Sequence, residues 1–215
     1  TGCEFLTVES EFGAMSAAIG ASAAGARAYT ATASQGLLYM AEALFNAAGL
    51  GLPIVMTVAN RAIGAPINIW NDQSDSMSQR DCGWVQLYAT DNQAAIDLHV
   101  IAFALADELS VPVMVCVDGF VLTHAFEPLD VPSQEQVDEV LPAGHPRQRL
   151  DPDDPVSIGA MVGPEAFTEV RYLSQYQLVQ AIEAFPEIAH RLGVRVGRER
   201  SMVEPYWTER PDTVI

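Results

Sequence analysis

Lysine is missing from this 215-residue chain, and its eleven cations are all arginines. Against them stand 28 Asp and Glu, for a formal net charge of −17. Such a chain has no basic face with which to neutralise phosphates, which argues against nucleic-acid binding. Cysteine is scarce too. Cys3, Cys82 and Cys116 lie far apart, and none belongs to a Cys-x-x-Cys. An odd, scattered set argues against a disulfide framework and against a zinc or iron–sulfur site within the chain. The four His residues show no paired spacing either, so each reads as structural and no metal site is expected. No apolar run reaches the roughly 18 residues that span a bilayer. There is no basic leader with a cleavage site, and the first residue is Thr1. A cytoplasmic protein, or a piece of one, with no membrane association is expected.

What is present is ordinary for a globular domain with a sizeable core: 49% hydrophobic and 18% charged residues. The acidity is uneven, −4 over residues 1–90 and −13 over 91–215, and the acidic half reads as a solvated surface. Phe5–Val8 is a short β-prone run. Residues 14–24 are Ala-rich, helical and small enough for close packing, with Gly25 as a stop. Ala28–Thr32 reads as a buried strand, Ser34-Gln35-Gly36 as a turn, and 37–48 as a helix capped by Gly49. Pro53–Ala59 is apolar on both faces, as in a parallel sheet covered on both sides.

Asn60–Gly83 has no sustained period. A loop of that length in a compact domain is usually functional, and its apolar residues argue against disorder. Trp84–Tyr88 and Val111–Val117 are further strands, separated by a helix over 92–109 that Asp91 can cap. Strands alternating with helices imply an α/β fold with a doubly wound parallel sheet. Beyond Glu127, Ser133-x-x-Gln136 resembles a capping box, 142–155 reads as a linker, and 164–192 is helical with Pro186 as an internal interruption or kink. Val203–Tyr206 and Thr213–Ile215 look like the approach to another strand. The sequence is expected to be an internal piece of a longer polypeptide.

Ligands in open α/β sheets bind at the carboxyl ends of strands, which singles out residues 8–61. Glu9 and Glu11 sit where a strand leads into a helix. A carboxylate there can hydrogen-bond a ring nitrogen or move a proton, or it can simply complement the helix dipole. Ser34-Gln35-Gly36 can present donors to a ligand or be an ordinary loop; it is neither a dinucleotide fingerprint nor a P-loop. Arg61 follows the most buried strand and can hold a carboxylate or phosphate bidentately. The alternative is an internal salt bridge to Asp72 or Asp75. Asp118-Gly119 reads as a turn. The residues alone lead to an anion or cofactor site at the strand ends.

Four stretches carry a resemblance: 8–27 (VESEFGAMSAAIGASAAGAR), 30–37 (TATASQGL), 60–75 (NRAIGAPINIWNDQSD) and 79–88 (QRDCGWVQLY). Pro112–His124 and Val203–Tyr206 continue it. Together they resemble the α subunit of pyruvate:ferredoxin oxidoreductases, over nearly the whole chain. The resemblance implies the pyrimidine-binding domain of a thiamine diphosphate fold. It divides the chain into that domain (1–130, lacking its N-terminal segment), a linker with a helical extension (131–200) and the start of a following α/β domain (201–215).

The same resemblance implies reversible oxidative decarboxylation of pyruvate with coenzyme A, and electron transfer through [4Fe-4S] clusters to ferredoxin. The diphosphate–Mg²⁺ site and the clusters would lie in other domains or in partner subunits (β, γ, δ or fused equivalents). By motif position Glu11 faces N1′ of the aminopyrimidine, with Glu9 as runner-up, and Ser34, Gln35 and Gly36 line the cofactor. Arg61 falls on the position that binds the substrate carboxylate, and Ile69 or Trp70 on a position near its methyl group. Relatives that take 2-oxoglutarate usually carry Gly-Pro-Gly at 34–36 and lack the 66–70 run, which favours pyruvate. Two other readings stand beside this one: a non-catalytic structural paralogue and an unrelated flavodoxin-like module.

Overall fold

The computed structural model describes residues 2–141, 148–206 and 213. Four strands form one sheet: β1 (Ala28–Thr32), β2 (Ile54–Asn60), β3 (Val85–Tyr88) and β4 (Val113–Asp118). All pairings are parallel and the order is β1-β2-β4-β3. The registers Ala28↔Ile54, Val55↔Val113 and Val85↔Val113 bring the carboxyl ends of the strands to one rim. The helices are α1 (Glu11–Ala23), α2 (Gln35–Tyr39), α3 (Ala41–Gly49), α4 (Ser74–Ser78), α5 (Asn92–Leu109), α6 (Gln134–Val140) and α7 (Phe167–Val196).

The central strands are apolar on both faces, and each face has its own core. On one side Ile54, Met56, Val58, Met114 and Cys116 meet Met15, Leu37, Met40 and Leu44 from α1, α2 and α3. On the other, Val55, Val113 and Val115 meet Ile101 and Leu105 of α5, with Phe185, Ile188 and Leu192 of α7 behind. The chain steps outward from β1 to β2, skips to β3, then returns to β4. Because that last step reverses direction, a right-handed crossover sends α5 to the opposite face from α3. The doubly wound α/β fold expected from the sequence is therefore present.

Local chemistry sets several boundaries. Asp91 caps α5 through a 2.6 Å bond from the Ala94 N–H. Ser133 and Gln136 form the expected capping box on α6. Gly25, at φ 96°, follows α1 in the left-handed conformation that a helix stop requires.

Several expectations need correction. Helix α1 begins at Glu11 rather than Ala14, because the Ser10 hydroxyl accepts the Gly13 N–H at 3.1 Å. Phe5–Val8 is not a strand: Phe5 is 93% exposed, and β propensity without a neighbouring strand forms no ladder. The single helix expected over 37–48 is interrupted at Met40 (φ −94°, ψ 8°), and the left-handed residue after it is Gly51, not Gly49. Pro186 does not interrupt α7. Val203–Tyr206 is not a strand, nor is Thr213; residues 214–215 and part of the expected linker (142–147) lie outside the described residues. No helix among the described residues is long and apolar enough to cross a membrane.

Candidate functional site

The rim at the carboxyl ends of β1, β2 and β4 gathers most of the residues singled out above. Glu11, the first residue of α1, reaches across to the start of α2. Its Oε1 lies 2.9 Å from where a Cβ on Gly36 would stand, and the Thr32 hydroxyl lies 2.6 Å from that same point. A side chain at position 36 would displace one or both. Glu11 is exposed on this chain, whereas the Thr32 hydroxyl is buried and has no hydrogen-bond partner. Glu9 behaves differently: its carboxylate folds against Gly13, in the first turn of its own helix. The two acids thus separate, Glu9 to the helix terminus and Glu11 to the Gly36 cradle.

Ser34 is fully buried, with φ 47° and ψ −116°, a conformation that L-residues rarely adopt. Two bonds hold it there. Its N–H donates to Asp75 Oδ2 at 2.9 Å, and its hydroxyl donates to the Ala62 carbonyl at 2.8 Å. Gln35 points its amide at Gly64, in the loop that follows β2.

Arg61 begins that loop and is half-buried. Its backbone N–H donates to Asp75 Oδ2 at 3.2 Å. Its guanidinium makes none of the ion pairs found among the described residues, and its Nε is buried without a partner. Both carboxylates that might have neutralised it are engaged elsewhere. Asp72 accepts from the hydroxyl and the N–H of Ser74, and the hydroxyl bond above all holds its carboxyl below the usual range. Asp75, fully buried, accepts from Asn60 Nδ2 and the Ser76 N–H at 2.8 Å each, besides the Ser34 and Arg61 N–H groups. The salt-bridge alternative for Arg61 is therefore not what the chain adopts.

The 61–73 loop folds back over the sheet end. Trp70 meets Phe120 edge-to-face at 5.1 Å, and Gln73 donates to Asp118 at 2.8 Å. Gly119 lies so close to Asn60 that a Cβ would stand 2.3 Å from its carbonyl oxygen; the Ile69 carbonyl is 3.2 Å from the same point. Ile69 is thus half-buried near the rim, and Trp70 is half-exposed beside Phe120.

Sequence reasoning passed over Asp75 as more than a salt-bridge candidate, and missed Asn60, Ser76 and Tyr88 altogether. Ser76 Oγ takes a bond from Asn60 and lies 2.9 Å from the Tyr88 hydroxyl. Burial pushes the Tyr88 phenol and the Cys116 thiol each up to about 12, so both stay neutral beside the carboxylate. A groove of about 450 Å³ lies elsewhere, along the free edge of β3, lined by Leu87, Tyr88, Leu98, Ile182, Phe185 and Met202. It includes none of Glu11, Ser34, Gln35, Gly36 or Arg61.

A parallel sheet covered by helices on both faces, with an acid, a glycine and an arginine that makes no ion pair among the described residues gathered along one strand-end rim, defines a doubly wound α/β domain. The family model for the thiamine diphosphate-binding part of pyruvate flavodoxin/ferredoxin oxidoreductases matches residues 1–190, and the chain belongs to that family. It is 46% identical over 216 residues to the pyruvate synthase subunit PorA of Methanosarcina barkeri, covering 99% of this chain and 54% of that protein. Against PorA of Pyrococcus horikoshii the figures are 47% over 215 residues, 99% and 54%. The ketoisovalerate oxidoreductase subunit VorA of Pyrococcus abyssi is 43% identical over 214 residues, again with 99% and 54% covered. The chain thus spans about half the length of the curated relatives it matches. Among solved structures, 2-oxoglutarate:ferredoxin oxidoreductase from Magnetococcus marinus superposes with a TM-score of 0.62 at 18% identity, covering 83% of this chain and 37% of that one. That likeness supports the fold, which is the thiamine diphosphate-binding one.

Proposed function

We infer that this chain forms the aminopyrimidine side of a thiamine diphosphate site in the α subunit of a 2-oxo acid:ferredoxin oxidoreductase, with pyruvate as the substrate. The observation that carries this reading is Arg61. A buried donor left unpaired costs about 1–3 kcal/mol, and here the nearby carboxylates are occupied by other bonds. An arginine kept this way is built to receive an anion. The carboxylate of a 2-oxo acid suits it, because a guanidinium grips a carboxylate through two parallel bonds.

The remaining residues fit the cofactor. Glu11 offers an acceptor for a ring N–H, and by motif position it would face N1′ and hold or return a proton there. Gly36 leaves the room that the carboxylate occupies, and the unpartnered Thr32 hydroxyl lies beside it. Gln35 and Gly36 line the cofactor side of the rim and Ile69 the substrate side, while Ser34, fully buried with its N–H and hydroxyl engaged, shapes the turn from beneath rather than touching the cofactor. Thiamine diphosphate, once bound, supplies the electron sink for decarboxylation. Glu11 is exposed on this chain, so another domain or subunit must cover it for the pair to work in a dry site. Mg²⁺, the [4Fe-4S] clusters and most of the coenzyme A site belong to those other parts. In the whole cytoplasmic enzyme pyruvate and coenzyme A give acetyl-coenzyme A and CO₂, and two electrons pass to ferredoxin.

Pyruvate is favoured because the relatives named for pyruvate synthase reach 47% identity, against 43% for those named for ketoisovalerate. A branched 2-oxo acid is the second reading on the strength of the latter. The assembled enzyme should show iron–sulfur absorption that bleaches with pyruvate plus coenzyme A. Its kcat/KM for pyruvate should exceed that for ketoisovalerate by at least about tenfold, the scale on which a pocket separates side chains by size. Preference for the branched acid overturns the substrate assignment. Absence of bleaching with any 2-oxo acid favours a structural paralogue.

A further inference from the structure

Asp75 is a buried carboxylate that makes no ion pair among the described residues. It accepts from four N–H donors: Ser34 and Arg61 on Oδ2, Asn60 and its neighbour Ser76 on Oδ1. Four donors and no acceptor is the pattern that an acceptor-only carboxylate satisfies. A charge taken out of water is normally paired with an opposite one, and Arg61 belongs to the same cluster. Instead Asp75 binds the main chain of Arg61 and leaves its guanidinium unpaired.

The partners of Asp75 are as telling as their number. Ser34 opens the turn that lines the Gly36 cradle, 41 residues away along the chain. Arg61 opens the loop after β2, 14 residues away. One carboxylate oxygen holds both N–H groups. We propose that Asp75 is a positioning residue: a cross-brace that fixes the Glu11–Gly36 side of the rim to the Arg61 side and keeps the Arg61 guanidinium open for the substrate carboxylate. The role in catalysis rests on the reading of Arg61 given above; the brace does not.

Asp75→Ala removes both acceptor oxygens, whereas Asp75→Asn keeps one. An amide has one acceptor oxygen, so its NH₂ must face either the Ser34/Arg61 pair or the Asn60/Ser76 pair. The Asn60 amide can rotate to accept from it, which relieves one side. The exchanged pair, Asp75→Asn with Asn60→Asp, restores a carboxylate to the cluster at the other position.

The test uses the complete enzyme. Amide hydrogen exchange resolved to Ser34 and Arg61 should speed up in Asp75→Ala, and less in Asp75→Asn, whose remaining oxygen can stay on that pair, while amides of β2 and β4 keep their protection. The KM for pyruvate should rise about tenfold with kcat changed much less, the loss expected when one hydrogen bond no longer aims a charged group. In an Arg61→Ala background Asp75→Ala should add nothing to KM, and the exchanged pair should recover most of the effect. Unchanged exchange at both amides in Asp75→Ala overturns the brace. A KM increase that persists in full without the Arg61 guanidinium overturns action through Arg61. If Arg61→Ala alone leaves KM unaltered, the carboxylate reading of Arg61 has failed, and exchange at the two amides still decides the brace.

Discussion

Replacing Arg61 by Leu or Ala separates binding from stability in a way the structure makes unusually clear. Truncation removes the guanidinium but leaves the backbone N–H on Asp75 at 3.2 Å, so the loop keeps its anchor. No ion pair of the chain is lost, since Arg61 makes none among the described residues. A buried, unpaired Nε disappears, which relieves about 1–3 kcal/mol of unmet hydrogen bonding against a similar loss of packing from the stem. The net change in unfolding free energy should be within about 1 kcal/mol of zero.

Binding should respond differently. A charge-assisted bond to a substrate carboxylate is worth about 1.5–3 kcal/mol, so kcat/KM for pyruvate should fall by about tenfold to over a hundredfold, mostly through KM. Arg61→Lys should recover only part, because an ammonium cannot form the fork. Steady-state kinetics of the assembled enzyme, beside thermal melts of the same samples, read both quantities. Near-normal pyruvate kinetics with a lowered melting temperature would refute the argument and return Arg61 to a structural role.

Glu11→Gln should leave assembly intact but slow exchange of the cofactor's C2 proton by about 10²–10⁴-fold, measured by quenched-flow proton NMR; an unchanged rate moves the role elsewhere. Gly36→Ala should lower the same rate without unfolding the domain, because the added methyl would stand 2.6 Å from Thr32 Oγ1 and 2.9 Å from Glu11 Oε1; a normal rate would contradict the cradle. Asp97 is fully buried between Arg198 and Arg200, with bonds of 2.9 and 3.0 Å, and Asp97→Asn should cost about 3–5 kcal/mol in urea unfolding. His99 is held below its ordinary 6.5, by burial first and despite the Ala95 carbonyl on Nδ1. Its neutral ring can accept from Thr57 on Nε2, so stability should be full above about pH 6.5 and fall as pH drops below it through the folded value. His99→Gln should flatten that slope in pH-dependent melts; an unchanged slope would exclude His99 as its source.

Much of this architecture was readable in advance where the signal is local. The helix at 92–109 announced itself by Asp91 as its cap, and the structure has it at those residues. The apolar strand after Pro53 read true because a central parallel strand buried on both faces carries little else, whereas Ala28–Thr32 is a strand but not the buried one expected: it lies at the sheet edge and only Ala28 in it is buried. Phe5–Val8 misled because a strand is a property of a pair. The rim was legible as a place, and Glu11, Gly36 and Arg61 as its residues. What organises it was not. Asp75 acts through partners up to 41 residues distant, and no periodicity records such bonds. The only hint was a polar run, Asn71-Asp-Gln-Ser-Asp, inside a loop with too many apolar neighbours to be mere surface.

Ser34 carries one more consequence, for the order in which the molecule assembles. At φ 47° and ψ −116° it sits where a serine in an isolated peptide would spend little time. Its chain neighbourhood engages only its carbonyl, through the Leu38 N–H; its own N–H and hydroxyl are held by the Asp75 carboxylate and the Ala62 carbonyl, and both arrive from beyond β2. The turn at 34–36 therefore cannot be a seed of folding. It closes only after β1 and β2 have paired and the long loop has come home. By the same logic it is among the first places to open, so the rim should breathe while the sheet beneath it stays shut.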